Sequence, residues 1–336
     1  MKKLIIIIFM FVLSPLQAGN LEELTKKAEA GDPRAQDQLG QIYDDGKGVE
    51  VDDVKAVYWF RKAADQGDAE AQYHLALMYD NGEGVAEDLA KAVEWYQKSA
   101  DQGFALAQFN LAVSYDDGEG VEEDNEKAVF WYRKAADQGD ADAQYNLAVM
   151  YDEGEGVEEN NAEAIKWYRK AADQGDSKAQ YNLALMYDNG EGVEEDNAQA
   201  ITWYQKAADQ GDPRAQYNLA LMYDDGEGVK EDNVKAVYWY RMAAEQDDPD
   251  GQNNLGAMYQ NGEGVKQNLE TAAKWYQKSA EQGNPIAKYN LGRFYIAGEG
   301  GLKKDKEKGI ELLRQSAEEG YEDAVIELRK YGISIE

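Results

Sequence analysis

Apolar residues recur along this chain at the spacing of helices, and the pattern they form repeats every 36 residues. In the unit covering residues 140–175, residues spaced at i, i+4 and i+8 predict a first helix, which we call helix A: Ala143, Leu147 and Tyr151. A second set predicts the apolar stripe of another helix, helix B, with Trp167 at its edge: Ala164, Tyr168, Ala171 and Ala172. A fixed period of this length is typical of a solenoid, and its long regular surface favours binding over catalysis.

The ends of both helices carry residues that favour capping. Asp140 begins helix A and Asn160 begins helix B, and both side chains can accept amide hydrogens of a first helical turn. Gly154 follows helix A and Gly175 follows helix B, where a left-handed residue commonly ends a helix. Because equivalent residues recur in the other units, apolar pattern and caps agree on a helical hairpin.

Three columns of large side chains run through the units at the same period. One is a leucine column on helix A: Leu39, Leu75, Leu111, Leu147, Leu183, Leu219, Leu255 and Leu291. A tyrosine column extends from Tyr43 to Tyr295. The third is a tryptophan column on helix B: Trp59, Trp95, Trp131, Trp167, Trp203, Trp239 and Trp275. We interpret all three as the core between helices rather than as ligand contacts.

These columns combine into the consensus A-x-x-x-L-A/G-x-x-Y, then G-x-G-V, then A-x-x-W-Y-x-K-A-A-x-x-G. This consensus resembles the Sel-1-like repeat, a relative of the tetratricopeptide repeat, and the match covers residues 32–320. The resemblance implies an all-α, right-handed α/α superhelical solenoid of about eight 36-residue helical hairpins that binds proteins or peptides. Residues 19–31 would form a leading half-repeat helix, and residues 321–336 a capping helix and tail. Some exported members of this family carry a disulfide in each repeat, whereas this chain has no cysteine.

The N-terminus differs in kind from the repeats. Lys2 and Lys3 precede an apolar run, and Pro15 leads to the small residue Ala18. This order predicts a signal peptide at residues 1–18. The apolar run is short for a membrane span, which needs about 20 residues. We therefore expect a bacterial protein exported to the periplasm or secreted, and a retained N-terminal anchor is the alternative.

The composition restricts the class of partner. The chain has 66 acidic residues against 35 basic residues, which gives a formal net charge of −31. This charge argues against nucleic acids, whose phosphates require lysine and arginine, and against anionic membrane surfaces. It permits basic proteins and divalent cations as partners. The alternative is that the charge keeps a long exposed solenoid soluble.

The family resemblance places helix A on the concave surface, and residues facing away from the apolar stripe of helix A form the candidate binding site. These residues are Tyr73, Phe109, Asn110, Tyr145, Asn146, Tyr181, Asn182, Tyr217, Asn218, Asp152 and Asp188. Asparagine amides both donate to and accept from a peptide backbone, and aromatic rings offer rigid contact area. The aspartates would favour lysine or arginine on the ligand. Alternatively, Tyr and Asn pack between successive A helices, and the aspartates are only solvated.

Catalysis and a built metal site are not expected. His74 is the only histidine and takes the place of the repeat asparagine, and no serine has an adjacent base. The acidic loops, such as residues 116–124, lack the alternating oxygen ligands of an EF-hand, so we expect no cofactor and no specific calcium site. The sequence therefore predicts a non-enzymatic interaction scaffold.

The last repeat departs from the pattern. Gly301 lengthens its loop, and a cluster of lysines reverses the local charge: Lys303, Lys304, Lys306 and Lys308. This segment is either an end cap or a contact patch for self-association, and we expect a monomer. The alternative function for the whole chain is an acidic module that binds cationic partners or divalent cations through avidity.

Overall fold

The computed structural model describes residues 15–334, and in that range it contains helices joined by turns and loops, without a strand. The helices are α1 (Pro15–Glu29), α2 (Pro33–Asp45), α3 (Asp53–Ala64), α4 (Ala69–Asn81), α5 (Leu89–Asp101), α6 (Ala105–Asp117), α7 (Asn125–Asp137), α8 (Ala141–Glu153), α9 (Asn161–Asp173), α10 (Ser177–Asn189), α11 (Asn197–Asp209), α12 (Pro213–Asp225), α13 (Asn233–Glu245), α14 (Pro249–Asn261), α15 (Leu269–Glu281), α16 (Pro285–Ala297), α17 (Lys306–Glu318) and α18 (Glu322–Lys330). Helices α2 to α16 with even numbers are helix A of a repeat, and α3 to α17 with odd numbers are helix B.

The predicted signal peptide at residues 1–18 lies outside the described residues, apart from its last four positions at the start of α1. Across residues 15–334, none of the helices has the length and apolar character that a membrane crossing requires.

The predicted caps are confirmed. Asp140 accepts a hydrogen bond from the backbone amide of Ala143 at 2.8 Å, and this bond fixes the start of α8. Asn160 accepts from the amide of Glu163 at 3.1 Å at the start of the following helix B. Gly154 ends α8 in the left-handed conformation, with φ at 72°. This hairpin is therefore bounded by the residues that the sequence indicated.

The described helices fall into two compact units, which divide between Ala171 and Ala172. Within each unit, a helix A packs against the helix B of its own repeat and against the helix B of the repeat before it. The leucine column is buried in both units, and Leu147 and Leu183 are both fully buried. Trp131 and Trp203 are buried, whereas Trp59 and Trp275 are only half-buried. The core prediction is therefore confirmed for the leucines and holds in part for the tryptophans.

A column of buried glutamines joins successive repeats, and sequence analysis did not assign it. In the second unit, Gln216 donates to the carbonyl of Ala208 at 3.1 Å, and its own side-chain oxygen accepts from Gln246 at 2.8 Å. The first unit has the same arrangement, in which Gln108 donates to Ala100 and accepts from Gln138. Because each amide is shared between neighbouring hairpins, the column fixes their stacking register.

The loop between helices A and B lies close to the preceding repeat. Gly156 has a φ of 63°, and a Cβ on it would lie 2.2 Å from the carbonyl oxygen of Asn125. Only glycine permits this approach and this conformation together. The second glycine of the G-x-G-V motif is therefore required by contact between repeats as well as by the turn.

Candidate binding surface on the A helices

The predicted aromatic residues lie half-buried on the A helices, each against a tyrosine of helix B in the same repeat. The ring centroids of Tyr181 and Tyr204 are 6.0 Å apart, and those of Phe109 and Tyr132 are 5.9 Å apart. Four of these aromatic pairs, all except the one at Tyr73, are tilted by similar angles, from 48° to 50°. We call the half-buried rings together with the asparagines and aspartates beside them the A-helix face: Tyr73, Phe109, Tyr145, Tyr181 and Tyr217, with Asn110, Asn146, Asn182 and Asn218, and Asp80, Asp116, Asp152, Asp188 and Asp224.

The asparagines and aspartates of this face meet at the hydroxyl of a buried helix-B tyrosine. In the second unit, the Tyr204 hydroxyl donates to Asp188 Oδ2 at 3.0 Å and accepts from Asn218 Nδ2 at 3.1 Å. The first unit repeats this network, in which the Tyr96 hydroxyl donates to Asp80 at 2.9 Å and accepts from Asn110 at 3.0 Å.

Two more hydroxyls of the first unit make the same contact. Tyr132 donates to Asp116 at 3.1 Å and also bonds the side chain of Asn146, while Tyr168 donates to Asp152 at 3.2 Å. Asn182 is half-buried at the equivalent position of α10. The face therefore rests on hydrogen bonds that reach into the core.

Sequence analysis placed these helix-B tyrosines in the apolar stripe and missed their hydroxyls. The signal was present in the sequence, because six successive units have tyrosine where the first unit has Phe60: Tyr96, Tyr132, Tyr168, Tyr204, Tyr240 and Tyr276. A position that only needed packing would accept either ring. The repeated hydroxyl indicates a polar partner at that depth.

The carboxylates of the face are partly removed from water. Burial raises the pKa of Asp188, an effect that the hydrogen bond from Tyr204 opposes. Burial likewise raises the pKa of Asp116 and of Asp224. Raised carboxyl pKa values mean that a nearby cation would be more stabilising here than at a fully solvated carboxylate.

The N-terminal repeats replace several face residues. Asp37 stands where the next five repeats have an aromatic ring, and its buried carboxylate lies 2.7 Å from Nδ1 of His74. Phe60 lacks the hydroxyl and packs 4.9 Å from the His74 ring, centroid to centroid. Phe104 takes the place of the capping aspartate and contacts the Tyr73 ring at 5.2 Å. His74 is thus held by a carboxylate and a ring in an environment unlike that of the repeat asparagine.

The predicted lysine cluster lies at the start of α17 and in the loop before it. Lys308 donates to the Tyr295 hydroxyl at 2.8 Å, and Lys306 lies 5.1 Å from the centroid of the Tyr331 ring. Lys303 and Lys304 are exposed. Throughout the part of the chain that the structure describes, no three histidine, cysteine or acidic side chains come together as metal ligands would.

Comparison with known proteins identifies these repeats. The model of the Sel1 repeat matches the chain eight times, at residues 33–68, 69–104, 105–140, 141–176, 177–212, 213–248, 249–284 and 285–321. The chain belongs to the Sel1 repeat family. This match confirms the resemblance seen in the sequence and the all-α solenoid of about eight repeats. Sel1 repeat proteins generally mediate protein–protein interactions and are generally not enzymes.

Two solved Sel1 repeat structures are similar to this one. The protective antigen c5321 of uropathogenic Escherichia coli is 40% identical, covering 94% of this chain and 68% of its own, with a TM-score of 0.88. A Sel1 repeat protein from Oxalobacter formigenes is 34% identical, covering 93% of this chain and 90% of its own, with a TM-score of 0.69. No curated protein sequence matches the chain.

Proposed function

We propose that this Sel1 repeat protein is an interaction scaffold that binds an extended segment of a partner protein along the A-helix face. One observation carries the proposal: a half-buried ring recurs at the same position of successive A helices, and the charges of nearby aspartates act on Tyr73, Tyr181 and Tyr217. Such rings give contact area at low entropic cost, because their backs are already packed on helix B.

The polar side chains of the face suit a peptide backbone. Asn218 uses its amide nitrogen to donate to the Tyr204 hydroxyl. The same amide also hydrogen-bonds Tyr181, and since an asparagine amide has two donor hydrogens and an acceptor oxygen, its oxygen can accept from a ligand backbone. The partly buried aspartates favour basic side chains on that ligand. The preferred partner is therefore a protein segment that carries lysine or arginine.

The second candidate function is binding driven by charge alone. The formal net charge of −31 would attract any cationic protein, and many weak contacts along the repeats would add through avidity. The lysine cluster around Lys303 and Lys308 would then be a contact for an acidic region of a second copy, in contrast to the monomer that we expect.

Capture of the partner with matched variants separates the two functions. The bait is the mature chain, compared with a variant that carries Tyr145→Ala, Tyr181→Ala and Tyr217→Ala. The control variant removes three helix-B aromatics that are between 50% and 53% exposed: Tyr58→Ala, Phe130→Ala and Tyr238→Ala. Circular dichroism establishes that all three proteins remain folded.

A scaffold loses its partner in the A-helix variant alone, and at any salt concentration. Charge-driven binding is unchanged in both variants and weakens steeply as salt rises, because screening shortens to about 8 Å at physiological ionic strength. Equal capture by all three proteins would contradict the proposed face.

We further propose that residues 1–18 direct export to the periplasm or the medium. The basic start, short apolar run and small residue at Ala18 support this proposal. N-terminal sequencing of the protein from fractionated bacteria should give Gly19 as the first residue outside the cytoplasm. An intact N-terminus in the cytoplasmic fraction would overturn it.

A further inference from the structure

One arginine of the chain lies against a ring of the A-helix face. The central guanidinium carbon of Arg214 is 4.2 Å from the centroid of the Tyr181 ring. Its Nη2 and Nε donate to the two carboxylate oxygens of Asp212, at 2.7 and 3.2 Å. Cation–π contact and a bidentate carboxylate are two favourable environments for a guanidinium. The helix-A ring and the capping aspartate of the next helix A therefore form the walls of a guanidinium site, which the chain itself occupies here.

The next repeat has the same walls without the arginine. Tyr217 replaces Tyr181 and Asp248 replaces Asp212, each 36 residues later, whereas the residue equivalent to Arg214 is Asp250. The charge at this exposed position is therefore reversed, while the ring and the capping carboxylate are kept.

The carboxylates of this second site act on its ring. Burial and the negative charges of Asp250 and Asp248 raise the pKa of Tyr217 to about 12. Asp248 uses Oδ1 to accept from the amide of Gly251 at 2.6 Å, and its carboxylate also accepts from the backbone amide of Asp250. Asp250 is exposed and accepts from Asn284 at 2.7 Å. The partners of both carboxylates within residues 15–334 are uncharged amides, so the two charges remain able to pair with a cation.

We infer that Tyr217, Asp248 and Asp250 form an open site for an arginine side chain of the partner, with the guanidinium stacked on the ring as Arg214 is on Tyr181. This inference rests on the proposed function, and it adds the residue that the partner must supply. Arginine suits the site better than lysine because its planar group stacks on a ring and pairs with a carboxylate at once.

The first unit contains the same combination. Phe109 is the ring, Asp140 caps the next helix A, and Asp142 stands at the exposed position. Burial raises the pKa of Asp140, and the negative charge of Asp142 adds to that effect. The positive charge of an arginine beside this pair would oppose both of these effects on the pKa of Asp140. In sequence, the exposed positions of four successive repeats read acid, base, base, acid: Asp142, Lys178, Arg214 and Asp250.

The test follows the Tyr217 ring by NMR in protein with labelled tyrosines, with its resonances assigned through Tyr217→Phe. The probe is the blocked peptide acetyl-Gly-Gly-Arg-Gly-Gly-amide, and its neutral counterpart carries citrulline in place of arginine. Asp248→Asn removes the charge and keeps the cap, since asparagine caps as well as aspartate. Asp232→Asn is the matched control, because Asp232 caps the helix B of the preceding repeat.

We expect Asp248→Asn to weaken binding of the arginine peptide at the Tyr217 ring about tenfold, because the substitution removes one charge-assisted contact. Asp232→Asn should change it less than about twofold, as expected for a distant screened charge. Arg214→Gln should make the Tyr181 ring respond to the arginine peptide, because it vacates the occupied site. The citrulline peptide should shift neither ring.

Three results of this NMR titration would overturn the inference: equal weakening by the two aspartate variants, no response of the Tyr181 ring in Arg214→Gln, or equal binding of the citrulline peptide. Tighter binding of a lysine peptide would overturn the choice of arginine. If a captured partner binds Asp248→Asn as tightly as the unchanged protein but does not bind the triple ring variant, the inference is wrong. The proposed function is then still supported. Capture that is indifferent to the triple ring variant overturns the proposed function itself.

Discussion

The hydroxyl of Tyr204 can be removed without disturbing the ring that carries it. Tyr204→Phe keeps the fully buried ring, and the protein itself has Phe60 at the same position of its first repeat. The substitution deletes the 3.0 Å bond to Asp188 and the 3.1 Å bond from Asn218. Any loss of stability in Tyr204→Phe therefore comes from the lost hydrogen bonds and not from a cavity in the core.

The magnitude follows from the two bonds. A hydrogen bond to a charged group contributes about 1.5–3 kcal/mol, and a neutral one about 0.5–1.5 kcal/mol. Asp188 and Asn218 are half-buried, so water replaces part of what they lose. We expect the free energy of local unfolding to fall by about 2 kcal/mol, near the lower end of the summed range.

Hydrogen exchange of the amides in α10 to α12 is the appropriate assay, because neighbouring repeats can open locally. A double-mutant cycle with Asp188→Asn assigns the share that belongs to the Tyr204–Asp188 bond. A loss below about 0.5 kcal/mol, which is within the usual range for surface substitutions, would refute the network as a source of stability.

The same variant has a defined pH dependence. Burial raises the folded-state pKa of Asp188, so its protonated form is favoured by folding, and stability falls as pH rises from the unfolded pKa through the folded one. The hydrogen bond from Tyr204 lowers that pKa, so Tyr204→Phe should raise the pKa of Asp188 further. In this variant the loss of stability should therefore continue to a higher pH than in the unchanged protein. An Asp188 titration that is identical in both proteins would contradict this reasoning.

Two further predictions concern the contacts between repeats. Gly156→Ala should destabilise the first unit by more than about 1 kcal/mol, because the new Cβ would lie 2.2 Å from the Asn125 carbonyl oxygen at a residue with positive φ. A chemical melt measures the loss, and Gly139→Ala is the control, because Gly139 has positive φ without such a contact. Gln216→Met should cost about 2 kcal/mol, because it leaves the Ala208 carbonyl without this donor and the Gln246 amide without this acceptor; unchanged exchange of α12 and α13 amides would disprove the register role.

The sequence was sufficient to predict the hairpins but not the contacts that join them. Asp140 and Gly154 lie beside the helix that they cap, so a local pattern identifies their role. Gln216 donates to the Ala208 carbonyl of the preceding hairpin, and Asn218 donates to Tyr204, 14 positions earlier in that same preceding hairpin. Those partners depend on how hairpins stack, which no local periodicity specifies. The same reason explains why Tyr204 was assigned only to the core.

On the A-helix face, the polar residues that stabilise the fold are different from the exposed residue at the position of Arg214. Asn218 and Asp188 are bound to the Tyr204 hydroxyl, so changing either residue disturbs the fold as well as any ligand contact. The position of Arg214 lies outside that network and is exposed in all eight repeats: Arg34, Glu70, Leu106, Asp142, Lys178, Arg214, Asp250 and Ile286. It carries acidic, basic and apolar residues, whereas the core leucine column does not vary. Near-identical hairpins can therefore stack in one register, and under the proposed function this exposed position, which Arg214 occupies beside the Tyr181 ring, would set which side chain of a partner a repeat accepts.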